Sequence, residues 1–160
     1  LSLGLRCSEG LFINRSQISQ DFNILLIPET KSKRPYTVYL NSFSKEIIKR
    51  RLSVSWNQWL FPSSVSDDKP ISPPYTTFKR ICRRAGISVR DYKGSGDALI
   101  PHDLRRTFAQ YCLRSTNLHC TSKLLNHAGY GVTEARYAHI QDTQLIEASE
   151  LTSSSMFTSK

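Results

Sequence analysis

A chain of 160 residues, 39% hydrophobic and 22% charged, has the size and balance of one ordinary globular domain, which excludes a disordered or fibrous polymer. No apolar run nears the ~18–20 residues of a membrane span, and no segment reads as a secretory leader. Its 22 Lys/Arg against 13 Asp/Glu give +9. Residues 1–100 hold 16 basic and 8 acidic residues (+8) and residues 101–160 hold 6 and 5 (+1), a field that suits a polyanion, most simply nucleic acid.

In chain order, "GLRCSEGLFINR" (4–15) reads as a short helix with Leu5, Leu11 and Phe12 as its apolar residues. "FNILLI" (22–27) and "YTVYL" (36–40) are β-rich runs around the polar "PETKSKRP", a hairpin with a long turn. "SKEIIKRRL" (44–52) is a helix with Ser44 as its expected N-cap. "WNQWLFPSS" reads as a strand end that runs into a Pro/Ser/Asp loop. "YTTFKRICRRAGI" (75–87) is a basic helix stopped at Gly86, and "RDYKGSGDA" (90–98) a loop. Helices are expected near 102–115, 119–126, 133–139 and 142–150, with residues 151–160 as a frayed tail. The fold class is therefore α+β, mainly helical, with a small antiparallel sheet of about three strands. Cys7, Cys82, Cys112 and Cys120 lack C-x-x-C spacing. Cys112, His119 and Cys120 read as ordinary side chains rather than a metal site, in a reduced, cytosolic chain.

In "IPHDLRRTFAQYCL" (100–113), the early proline and Asp103 mark a helix start. Leu104, Phe108, Tyr111 and Cys112 form its buried stripe. His102 and Arg105, at i and i+3, are neighbours on one face away from the middle of that stripe. Both groups suit an anion at a helix N-terminus, although a solvated face with an incidental histidine would look the same.

"HDLRRTFA" followed by "LLNHAGYGVTEARYAHI" (124–140) resembles the catalytic domain of tyrosine recombinases, the phage-integrase family. "LGLRCSEGLFI" looks like that family's first arginine box, and "TKSKRPYTVYLN" like the β-hairpin that bears its lysine. With "FPSS", the hairpin is most like integrases of the P4-like prophage type. Four ordered motifs, from about residue 2 to about 150, carry the match.

The resemblance implies a site-specific DNA recombinase with the tyrosine-recombinase catalytic-domain fold. Tyr137 would be the nucleophile, with Arg6, Lys31, His102, Arg105 and His127 as the other catalytic groups. Glu9 would orient Arg6. Lys33, Arg34, Arg106 and Arg136 would bind DNA, and Arg106, Arg136 and His139 read equally as backbone contacts or plain surface groups. Lys33 and Arg34 compete with Lys31 in the same turn, and Tyr130 is the rival nucleophile, because the spacing from His127 to Tyr137 is one residue longer than usual in the family. No metal or other cofactor is implied.

The implied partners are double-stranded attachment sites and three further copies in a homotetramer on DNA, with "QDTQLIEASEL" (141–151) docked on a neighbouring subunit. The fragment alone could be monomeric. The implied setting is the bacterial cytoplasm, at the nucleoid. Against the family pattern the chain also looks amino-terminally truncated, one catalytic domain over residues 1–160. Two other readings use the same residues: a type IB topoisomerase-like nicking-closing enzyme, and a prophage remnant that binds DNA without cutting it.

Overall fold

The computed structural model describes residues 1–28, 35–89, 99–126 and 142–157. It has six helices among these residues: α1 (Cys7–Leu11), α2 (Ser42–Val54), α3 (Tyr75–Arg84), α4 (Pro101–Ser115), α5 (Leu118–Leu124) and α6 (Asp142–Phe157). A 3-10 turn spans Arg15–Gln17, and two strands, β1 (Ile24–Ile27) and β2 (Tyr36–Tyr39), pair antiparallel with Ile24 opposite Tyr39 and Ile27 opposite Tyr36. Leu25 and Ile27 point inward while Ile24 and Leu26 are exposed, the period of two that a half-buried strand requires.

Two apolar clusters hold the elements. One joins Ile13, Leu25, Ile27, Val38, Leu40, Ile48 and Leu60 across the hairpin and α2. The other joins Phe108, Cys112 and Leu125, with Leu124 and Met156 against them, where α4 meets α5 and α6. Among the described residues no helix is long and apolar enough to cross a membrane.

The mainly helical α+β class stands, and several element boundaries differ from expectation for local physical reasons. The first helix is only Cys7–Leu11. Gly4 takes φ +62, a turn that no helix continues through, and a Cβ there would lie 2.5 Å from the Phe108 ring. Asn41, not Ser44, caps α2, since its Oδ1 accepts from the Ser44 amide at 2.9 Å.

Two strands are described where about three were expected. The segment around Trp59 makes one isolated bridge to Asn14 rather than a strand. Its amide goes to Asn57 Oδ1 at 2.9 Å and its indole donates to Asp68 O at 3.0 Å, so its donors serve a loop instead of a ladder. α3 ends at Arg84, with Gly86 at φ +68 just beyond. The loop at 90–98 and the helix at 133–139 fall outside the described residues.

The tail is the clearest correction. Residues 151–157 continue α6 as helix rather than fraying. Ala148, Ser149, Thr152 and Ser153 are buried, Ser115 and Ser155 share a hydrogen bond at 2.9 Å, and Phe157 stacks on Phe43 with centroids 4.1 Å apart. Within its own chain, this helix, in the segment expected to dock on a neighbouring subunit, packs on α4, α5 and β2. Small side chains allow that close approach, and a polar composition hid it from a hydrophobic pattern.

Asn41 ties the ends together. Its side chain is fully buried and donates to Ser2 O at 2.9 Å and to Ser149 Oγ at 3.2 Å. Asn41→Ala is expected to cost about 1–3 kcal/mol, because it strands buried polar partners as well as a helix cap. A urea midpoint indistinguishable from wild type would contradict this.

Candidate functional site

Arg6 sits just before α1 in extended backbone, φ −64 and ψ 149. That places its own amide and its side chain on the same carboxylate. Its amide donates to Glu9 Oε2 at 2.8 Å and its Nη1 to Glu9 Oε1 at 2.7 Å. Glu9 thus closes the first turn and holds the arginine at once.

Arg105 lies in the second turn of α4 and is buried. Its Nη1 donates to Gly4 O at 2.8 Å and its Nη2 to Leu125 O, while Nη1 also lies 3.8 Å from Glu9 Oε2. Two guanidiniums therefore flank one carboxylate, and the Tyr36 hydroxyl from β2 bonds to the same carboxylate. The Glu9 and Arg105 side chains are each 7% exposed, whereas Arg6 is 36% exposed and remains open to an incoming group.

The electrostatics follow from the packing. Burial pushes the Glu9 carboxyl up, but the Arg6 amide, the Arg6 guanidinium and the Tyr36 hydroxyl together hold it below its ordinary value. Burial first, then the charge and hydrogen bond of Glu9, push the Tyr36 hydroxyl well up, so it stays a neutral donor. Burial and the adjacent Arg6 charge pull Arg105 down, with Glu9 opposing them; an arginine keeps its proton regardless. Two fixed cations against one anion leave a surplus positive charge, as an anion-binding site needs.

Because the Glu9 value is depressed on folding, its stabilising contribution is complete above the ordinary carboxylate value, 4.5, and is lost as pH falls through the lower folded one. Glu9→Gln is expected to flatten the fall of stability with acid in that window. Unfolding midpoints of wild type and variant that run parallel from pH 6 to pH 3 would contradict it.

His102 opens α4 one turn before Arg105 and is exposed, so two side chains read as one face have different surroundings. The difference arises because the residue 1–6 turn and Leu125 cover Arg105 alone. Arg106 is 71% exposed on its side chain and pairs with Asp103 at 2.8 Å. That aspartate also receives the Ile100 amide at 2.8 Å, closing the start of α4. Lys31, Lys33, Arg34, His127, Tyr130, Arg136, Tyr137 and His139 lie outside the described residues. The Leu125 carbonyl held by Arg105 is in the last described turn before position 127.

Sequence reasoning missed Tyr36 and Asn41. The alternation of β2 puts Tyr36 on the side of buried Val38, but no local signal joins it to Glu9.

The model of the phage integrase family matches residues 1–144. Tyrosine recombinase XerA of Saccharolobus solfataricus is 28% identical over 141 residues, which is 88% of this chain and 43% of that protein. A crystal structure of XerA recombinase superposes with TM-score 0.58 at 22% identity, covering 91% of this chain and 52% of that one. The Tn1549 transposon integrase in complex with circular intermediate DNA gives TM-score 0.60 at 14% identity, over 89% of this chain and 52% of the other. XerH site-specific recombinase bound to its difH substrate gives 0.59 at 24%, over 91% and 42%. The chain thus spans about half, or less, of the length of the proteins it matches.

Proposed function

The chain belongs to the phage integrase family, and from that premise we propose that it carries the strand-cleaving centre of a site-specific DNA recombinase. The observation that carries the proposal is the shared carboxylate. Arg6 and Arg105, distant in sequence, are held side by side on Glu9, with Arg6 open to an anion. Their planar forks suit the non-bridging oxygens of a phosphodiester and the charge that grows on them in the pentavalent state.

In this reading the Tyr137 oxygen attacks phosphorus, forming a 3′-phosphotyrosyl bond as the bond to the 5′-oxygen breaks. His102 assists removal of the tyrosine proton, and Lys31 supplies one to the departing 5′-oxygen. His127 donates a hydrogen bond to the same phosphate. Ionising a free tyrosine at pH 7 costs about 4 kcal/mol, and neighbouring cations, each worth roughly 1–3 units, offset most of it. Since the covalent bond conserves the phosphodiester energy, a 5′-hydroxyl from a second strand can reverse the step without ATP.

Duplex DNA is the proposed substrate, in line with the DNA-bound state of the Tn1549 and XerH structures. The exposed Arg80, Arg83 and Arg84 of α3, around from buried Cys82, would lie along its backbone with Arg106. A tetramer on two duplexes is the proposed working assembly, and integration or excision of a mobile element the outcome.

The test is covalent trapping. Wild-type protein is incubated with nicked duplexes of randomised core, whose cleavage releases a short fragment and prevents rejoining. A denaturation-resistant protein–DNA band, with the DNA mapped to the peptide that contains Tyr137, is the expected result. Retention of duplex without any such band would leave a DNA-binding protein that does not cut.

A further inference from the structure

We propose that Tyr36 is a positioning residue that ties strand β2 to the Arg6–Glu9–Arg105 cluster and so keeps Arg6 aimed at the scissile phosphate. The inference deepens the reading above and rests on it for its catalytic consequence.

Glu9 must satisfy more than Arg6. Its Oε1 takes the Arg6 guanidinium at 2.7 Å, and its Oε2 takes the Arg6 amide at 2.8 Å and faces Arg105 at 3.8 Å. These partners come from the residue that caps α1 and from α4. Among the described residues of the hairpin, whose strands pack in the first apolar cluster, it is Tyr36 whose hydroxyl bonds to the carboxylate. Tyr36 is the first residue of β2, paired with Ile27 at the end of β1, and is half-buried. A hydroxyl held neutral by its surroundings donates to the carboxylate without adding charge, so it fixes the Glu9 rotamer while leaving the cationic surplus intact. Without it, Glu9 is held from one side only, and Arg6 gains freedom that transition-state stabilisation cannot tolerate. Tyr36 touches neither substrate nor the reacting atoms in this account.

Tyr36→Phe keeps the ring and its packing, so the fold should survive. Two measurements on the full chain separate the tie from its catalytic role. In the first, the 13C carboxyl signal of Glu9, assigned with Glu9→Gln, is titrated in wild type and Tyr36→Phe. The midpoint is expected to rise in the variant, because a hydrogen bond to the charged form is gone; an unchanged midpoint overturns the tie, whether or not the protein cleaves DNA.

In the second, single-turnover adduct formation is followed on the nicked duplex at saturating DNA. Tyr36→Phe is expected to react about tenfold more slowly, the worth of one hydrogen bond to a charged group, with duplex affinity unchanged. Added to Glu9→Gln it should slow the reaction no further, since both act through one carboxylate. A variant as fast as wild type, or a fully additive double variant, overturns the positioning role. Absence of an adduct from wild type itself would defeat the recombinase reading and with it the catalytic consequence, while the titration still decides the tie.

Discussion

Arg105→Ala is expected to cost about 3–5 kcal/mol of stability, the usual result of removing one partner from a buried ionic cluster, and to abolish detectable strand cleavage. The guanidinium joins Gly4 O in the first turn to Leu125 O beyond α5 and stands beside Glu9. Its loss leaves two carbonyls short of the donor they have now, and removes one of the two cations of the proposed phosphate site. Arg105→Lys should fare better in stability but remain severely slow, because an ammonium cannot span two carbonyls as a planar fork does. Urea unfolding separates the two losses. A midpoint for Arg105→Ala within about 0.5 kcal/mol of wild type, the range of an ordinary surface change, would show that the buried hydrogen bonds do not hold the fold.

Tyr137→Phe is expected to leave duplex binding and the unfolding midpoint unchanged and to give no covalent adduct at all. Phenylalanine has no oxygen to form the phosphotyrosyl bond, so the effect is one of kind rather than degree. Tyr130→Phe should retain the band. An adduct that survives in Tyr137→Phe but disappears in Tyr130→Phe would move the nucleophile to Tyr130, and the extra residue after His127 would then have a mechanistic meaning.

Local rules served well wherever the determining contact is local. Pro101 and Asp103 mark the start of α4, and the Phe108–Cys112 stripe is buried there as a three-to-four spacing requires. The alternation in β1 assigns its inner face. The same rules found the start of α6 but failed over residues 151–157, where the buried side continues through Thr152 and Ser153. An apolar period does not mark where a helix ends when its contact face there is small and polar. At the candidate site, the pairing of Arg6 with Glu9 is an i,i+3 contact and legible as such.

The amino-acid sequence alone determined the class of the molecule, the family signatures in their order, the polyanion-seeking charge and the identity of the proposed reacting groups. The class and the charge are properties of residue type and near-neighbour spacing, whereas the proposed reacting groups are those that the resemblance to the family implies. Only the tertiary structure decided that Glu9 serves Arg105 as well as Arg6, that Tyr36 completes the cluster, and that Arg105 is buried while His102 is exposed. Arg105 reaches Gly4 across 101 positions of chain. Helical and strand periods extend over a few residues, so a separation of that length is set by how the two apolar clusters pack and by which backbone carbonyls that packing presents.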